Sequence, residues 1–244
     1  MKRTTDILLT ICMMPIMVFA NNEPWQDFEN NAYIGGAYSY NNANINQFGA
    51  ISGSSPLFDL GGTMLLSSNL WANVNFDANF VAGGSYVSNW YNLSGKLGYS
   101  FTDTTYNFTP YAMIGLGNNG AYFSNANAIN YGLGLLSEAM LDENWVLFAD
   151  FNYQLQNFNS QINGDFNKNV LANYSTYTIN NSPSIYGISL GAKYLSNNGF
   201  FISPFIKYQD YNQSFSVINN DINYGTVSPT TSQVILGINF GVSL

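Results

Sequence analysis

The sequence predicts an all-β fold, a closed antiparallel transmembrane β-barrel of ten strands, and three observations point there. Apolar and polar residues alternate over segments of about ten residues, the period of a strand whose two faces meet different surroundings. Only 8% of the 244 residues are charged, against about 25% in a soluble domain; Asn, Ser, Thr, Tyr and Gly fill the polar positions. Short and long connections alternate along the chain, as in a barrel with turns on one side and loops on the other. Eight strands is the alternative count, and it requires one hairpin to fold back into a loop.

Residues 1–20 read as a cleaved signal peptide. Lys2 and Arg3 supply the positive start, Ile7 to Phe19 the apolar run, and Val18-Phe19-Ala20 the small-residue cleavage pattern. The run is short for a spanning helix of roughly 20 residues. Cys12 is the one cysteine and leaves with the signal, so the mature chain has no disulfide and no thiolate chemistry. Without Lys2, Arg3 and Asp6, four basic and thirteen acidic residues remain, a net charge of about −9 that disfavours nucleic acid as a partner.

No later segment offers the eighteen uninterrupted apolar residues of a membrane helix. The first strand, 31–40, carries Tyr33-Ile34-Gly35-Gly36, and the second, 58–67, runs into the turn Ser67-Ser68-Asn69. The third, 70–83, sets Val74, Phe76, Ala78 and Phe80 against Asn73, Asn75, Asp77 and Asn79. In the fourth, 90–101, Tyr91, Leu93, Leu97, Tyr99 and Phe101 oppose Asn92, Ser94, Lys96 and Ser100. The fifth, 109–117, opens on Thr109-Pro110-Tyr111, and the sixth, 128–140, carries Gly132-Leu133-Gly134. The seventh, 145–157, sets Trp145, Leu147, Ala149, Phe151, Tyr153 and Leu155 against Asp150, Asn152, Gln154 and Gln156. The eighth, 185–195, sets Tyr186, Ile188, Leu190, Ala192 and Tyr194 against Ser189 and Lys193. The ninth, 200–211, carries Ser203-Pro204-Phe205 near its start; the tenth is 233–244.

Short turns at 67–69, 102–107, 141–144 and 196–199 join alternate pairs of strands. The connections 41–57, 118–127, 158–184 and 212–232 are long, and only 84–89 is brief. Phe101, Trp145, Tyr194 and Phe200 fall on the apolar parity beside the short turns, where amphipathic rings would sit at headgroup depth. In the tenth strand Val234, Leu236, Ile238, Phe240, Val242 and Leu244 share one face.

That last strand resembles the C-terminal signal strand of bacterial outer-membrane β-barrels, a family in which the final residue is usually aromatic; Leu244 departs from this. The prolines near strand starts and the recurrent glycines also resemble small members of the family, over essentially all of the chain after residue 20. The resemblance implies an outer-membrane location, with residues 21–30 as a periplasmic N-terminal segment and 31–244 as the barrel. It further implies lipid around the wall, recognition of the C-terminal strand by the barrel-assembly machinery, and a monomer. The chain must also close on itself, pairing 233–244 antiparallel with 31–40, because an open edge cannot stay unsatisfied in hydrocarbon.

The chain has no histidine. The enzymes of the resembled family use a histidine as acid, base or activator, so none of those mechanisms carries over and no enzymatic activity is expected. Asp142-Glu143 reads as a solvated turn. Asn163-Gly164-Asp165 has oxygens for a hard cation but is ordinary turn chemistry, and Gly115-Leu116-Gly117 reads as strand glycine rather than a dinucleotide loop. No cofactor and no metal site is expected. Parity turns Asp59, Asp77, Glu138 and Asp150, with Lys96, Lys193 and Lys207, into the lumen. Buried charges are costly unless paired, so these are expected to form a nearly complete ladder of pairs or to line a narrow constriction. The expected role is structural or narrowly pore-forming. The alternative is adhesion or host interaction, an extracellular ligand being held by the long Asn-, Ser-, Thr- and Tyr-rich loops.

Overall fold

The computed structural model describes residues 24–45, 49–66, 69–79, 91–118, 128–158, 176–179, 184–212, 215–219, 222–227 and 230–244. One short helix, α1 (Pro24–Glu29), comes first. The strands follow as β1 (Asn31–Ile45), β2 (Gly49–Leu65), β3 (Leu70–Asn79), β4 (Tyr91–Tyr99), β5 (Phe101–Thr102), β6 (Tyr106–Asn118) and β7 (Ala128–Met140). They continue as β8 (Trp145–Phe158), β9 (Thr176–Ile179), β10 (Ser184–Leu195), β11 (Phe200–Asn212), β12 (Phe215–Asn219), β13 (Ile222–Val227) and β14 (Thr230–Ser243). Among the described residues ten strands form one ring in the order β1, β2, β3, β4, β6, β7, β8, β10, β11, β14, every neighbour antiparallel. The ends of the chain close it: β1 pairs with β14 from Asn31↔Ser243 to Asn44↔Thr230. The ten-strand count and the closing pair agree with the sequence reading, and the eight-strand alternative falls away.

The register fixes the barrel's width. Following hydrogen-bonded partners once round the ring from Asn31, through Thr63, Asn73, Lys96, Met113, Gly132, Gln154, Ile185, Tyr211 and Thr231, returns to β1 at Ala43, a shear of twelve residues. Ten strands about 4.8 Å apart with that stagger tilt by about 40° and set the backbone about 10 Å from the axis. Inward side chains then nearly meet, so free space inside is small.

Outside, the wall is apolar. Exposed aromatics recur eight residues apart on single strands: Tyr91 and Tyr99 on β4, Trp145 and Tyr153 on β8, Phe200 and Tyr208 on β11. At about 3.4 Å per residue and a tilt of about 40°, the two aromatic rings of the wall lie about 20 Å apart along the axis. Leu93, Leu97, Leu147, Phe151, Leu190 and Ile206 fill the exposed band between them, the arrangement that suits a hydrocarbon layer. The girdle beside the short turns includes the rings expected from sequence, with Trp145 against Tyr194 at 5.0 Å. The second girdle, with Tyr153 against Tyr186 at 4.9 Å, was not anticipated.

Three local features have direct chemical causes. The turn at Asn69 takes a positive φ of 62° and that at Gly199 one of 76°, conformations that Asn and Gly tolerate. Pro110 and Pro204 cannot donate to a ladder, and each sits at an interruption. The β4 pairing with β6 stops at Gly98↔Tyr111 and resumes as β5 at Phe101↔Phe108. Likewise β10 and β11 pair at Gly191↔Phe205 and then at Tyr194↔Ile202. Across the first gap Ser100 and Thr109 hydroxyls bond at 2.6 Å instead.

Two expectations about connections need correcting. Residues 41–57, read as a loop, are mostly ladder, since β1 runs to Ile45 and β2 starts at Gly49. Asn, Ser and Gly dominate this stretch because it projects past the apolar band, so backbone pairing persists where apolar alternation has ended. The two longest connections also carry strands. β9 from one pairs with β12 from the other, and β13 completes a three-stranded sheet. The proposed signal peptide, residues 80–83 of the third strand and Asn163-Gly164-Asp165 lie outside the described residues.

Candidate functional site

Ten strands of alternating parity turn half of their side chains inward, and the lumen has three layers. At the end carrying the short turns, α1 enters the barrel mouth. Apolar residues at Trp25 and Phe28 pack with Leu65, Trp71, Tyr111, Met113, Leu136 and Val146 into a buried core. Asn30 Oδ1 accepts the Leu65 N–H at 2.7 Å, Ser243 Oγ donates to Asp27 O at 2.8 Å, and Trp25 Nε1 donates to Asp103 O at 2.6 Å. Residues 24–30, part of the expected periplasmic segment, are therefore a plug inserted into the barrel. The sequence signal was faint: Trp25 and Phe28 lie three residues apart, too short a run to show periodicity.

The plug carries a carboxylate that the sequence reading missed. Glu29 is fully buried; its Oε1 accepts from Lys193 Nζ at 2.8 Å and its Oε2 from Trp71 Nε1 at 2.6 Å. Lys193 also reaches Glu138 Oε1 at 2.8 Å, and Asn107 Nδ2 donates to Glu138 Oε2 at 2.7 Å. Burial pushes the Glu29 carboxyl upward, but the Lys193 charge and the hydrogen bonds outweigh it and hold Glu29 below the usual carboxylate range. In the nearby turn, backbone N–H groups of Tyr106 and Thr105 hold Asp103 below that range.

Above the plug lies a cavity of about 220 Å³, touched by residues of all ten barrel strands and by Glu29. All seven charges assigned to the lumen by parity face inward, and the structure brings some of them together. Lys96 binds Asp150 at 2.8 Å and lies 4.7 Å from the centre of the Tyr111 ring, whose hydroxyl donates to Asp150. Lys193 joins Glu138. Asp59, Asp77 and Lys207 make no ion pair among the described residues, so the ladder is incomplete. The cause is geometric: Asp59 and Asp77 face each other on β2 and β3, while Lys207 is on β11, three strands away from Asp59 round the ring.

Towards the loop end the inward side chains among the described residues are neutral and hydrogen-bonded. Ser39 and Ser55 hydroxyls meet at 2.9 Å, Asn79 Nδ2 donates to Ser55 at 3.2 Å, and Tyr211 donates to Gln233 at 3.0 Å. Elsewhere, Asp142 accepts the N–H groups of Asn144 and Trp145 at 2.8 and 2.9 Å, a turn-capping role, and Glu143 is exposed. Gly115 and Gly117 lie within β6. Val234, Leu236, Ile238, Phe240 and Val242 line the outer face of β14, and Leu244 N–H bonds Asn30 O at 2.8 Å.

No protein-family model matches the chain, and no curated protein matches it. Among solved structures it is similar to the outer membrane protease OmpT from Escherichia coli. The two are 9% identical over 88% of this chain and 96% of that one, with a TM-score of 0.53. An outer membrane channel from Pseudomonas putida F1 is 14% identical over 92% of this chain and 99% of that one, at a TM-score of 0.45. The outer membrane protein OprG from Pseudomonas aeruginosa is 10% identical over 88% and 98%, at 0.44. At such identities the likeness bears on fold, and the fold is that of an outer-membrane β-barrel, with the apolar wall facing lipid.

Proposed function

We propose that this outer-membrane barrel is a narrow, porin-like conduit for small polar solutes, closed at its turn end by α1 and without enzymatic activity. The observation that carries this is the polar cavity touched by all ten strands. A barrel serving only as a wall could fill its interior with side chains at this diameter. Instead a polar cavity remains in the middle of the lumen, and the apolar filling at the turn end is built around a separate six-residue helix. For the absence of enzymatic activity the support is chemical: no histidine is present, and the facing carboxylates Asp59 and Asp77 lie inside the lumen, out of reach of a macromolecular substrate. The outward face of β14 supports recognition by the assembly machinery, with the folded protein a monomer in lipid.

Single-channel recording in planar bilayers tests the reading. Small conductance steps are expected from the full chain. Steps should be larger or more frequent for Trp25→Ala combined with Phe28→Ala, which strips the plug's apolar anchors. Silence from both proteins, shown to be folded by their heat-modifiable gel mobility, would overturn it.

A second reading, adhesion or host interaction, is favoured by the joining of the two longest connections into the β9–β12–β13 sheet. Its test is binding of the purified protein to cells or matrix that disappears when 159–183 and 213–229 are shortened while the barrel still folds.

A further inference from the structure

We infer that Asp59 and Asp77, with Asn239, form a station for a monovalent alkali-metal cation in the middle of the lumen, which makes the conduit cation-selective; this rests on the pore reading. Hydrogen-bonded partners place Asn239, Gly35, Asp59, Asp77 and Asn92 in one row across β14, β1, β2, β3 and β4. All five point inward. Gly35 lacks the Cβ that would come within 1.8 Å of Asn239 Oδ1, so the amide lies across it beside the Asp59 carboxylate, and Asn75 stands on the other side. Asn75 is itself oriented, since its Oδ1 accepts from the Tyr33 hydroxyl at 3.0 Å across Gly61.

Like charges directly opposite on neighbouring strands destabilise a sheet, and among the described residues no lysine pairs with either acid. Asp59 is only 8% exposed, yet among the described residues nothing donates to its Oδ1 or to the neighbouring Asn239 Oδ1. Both residues line the cavity. Two orphaned, buried acceptor oxygens beside a facing carboxylate pair call for a hard positive charge, since such oxygens are the ligands of hard cations. Charge selects its valence. Lys96 is held by Asp150 and Lys193 by Glu29 and Glu138. Among the described residues Lys207 is then the one lysine on the cavity wall left to set against the two facing acids, and this level is short of one positive charge.

In a water-filled bore, one net charge about 6 Å from a passing ion favours a cation over an anion by about tenfold. Reversal potentials across a KCl gradient should therefore show about tenfold preference for K⁺ over Cl⁻. Asp59→Asn combined with Asp77→Asn, which leaves Lys207 unopposed at this level, should turn the preference towards Cl⁻. Independently of current, thermal unfolding of the micelle-folded protein should occur at higher temperature in KCl than in N-methylglucamine chloride of equal ionic strength, with no such difference in the double variant. Currents with no cation preference and no K⁺-dependent stability overturn the station and leave the pore. Silent bilayers with K⁺-dependent stability abolished by the double substitution overturn the pore and keep the station. Asp77→Asn alone serves as the second variant if the double one fails to fold, with loss of the preference and of the K⁺ effect expected there too.

Discussion

Replacing Lys193 with methionine isolates the ion cluster that holds the plug. The ammonium bridges Glu29 on α1 and Glu138 on β7, both carboxylates fully buried. Methionine keeps most of the volume and removes the charge. Each carboxylate retains one neutral donor, Trp71 for Glu29 and Asn107 for Glu138, but the two, both buried, now repel each other. The least costly escape is to protonate one of them. Holding a carboxyl of ordinary pKa, about 4.3, neutral at pH 7 costs about 3.7 kcal/mol at 1.36 kcal/mol per pH unit. That falls within the 3–5 kcal/mol seen when one partner of a buried pair is removed.

Lys193→Met should therefore lose about 3–4 kcal/mol at pH 7, and only about 1 kcal/mol at pH 5, where protonation is nearly free. Adding Glu138→Gln should return at least half of the pH 7 loss. Urea unfolding of the protein refolded in lipid vesicles, followed by tryptophan fluorescence at both pH values, measures this. A pH 7 loss below about 1 kcal/mol, or the same loss at both pH values, would show that the cluster does not hold charged carboxylates.

Other expectations follow from single residues. Because Glu29 is held below its unfolded value, its contribution to plug stability is complete above the ordinary carboxylate range and lost as pH falls through the depressed folded value. Acrylamide quenching of Trp25 and Trp71, in a chain whose Trp90 and Trp145 are phenylalanine, should rise at acid pH when Glu29 is present, and be raised already at neutral pH with Glu29→Gln. A Cβ at Gly132 would stand 2.1 Å from Tyr153 O, whereas one at Gly36 meets nothing within 4 Å. Gly132→Ala should thus cost several kcal/mol or prevent folding, while Gly36→Ala should be neutral or stabilise by about 0.5 kcal/mol; heat-modifiable mobility and urea midpoints distinguish them. Leu244→Phe should assemble at least as well as wild type and Leu244→Asp worse. The folded fraction recovered in outer membranes reports this, and equal recovery of all three would dismiss the terminal residue as an assembly signal.

The wall was legible in the sequence because each of its faces meets one solvent. Strand β8 shows why: from Ala149 to Gln156 apolar and polar residues alternate without a break, and lipid on one side enforces the pattern at every second residue, while Val146 and Phe148 turn inward to the plug's apolar core. Where that solvent ends the pattern ends, so Asn41 to Ile45 pair as strand without announcing it. Which face of a strand a charge takes is likewise local, a matter of parity. Which charges meet is not local. Lys96 and Asp150 touch across the bore from β4 and β8, a contact fixed by shear and diameter, which emerge only when the ring closes.

Glu29 lay beyond that reasoning for a different reason. A six-residue helix has no periodicity to read, and the partners that bury it, Trp71 and Lys193, come from strands that converge only in the finished barrel. Counting charge nonetheless constrains the interior. Among the described residues and with Glu29 included, the lumen holds five acids against three lysines, and Lys193 is shared by two of those acids. Lys193 is therefore fully engaged at the plug. Of the other two lysines, Lys96 is held by Asp150 and Lys207 stands on β11, so the facing acids Asp59 and Asp77 are left short of positive charge. Supplying that charge at mid-lumen, by Asn92→Lys beside Asp77 in the row, should remove the cation dependence while leaving Glu29 and the plug untouched.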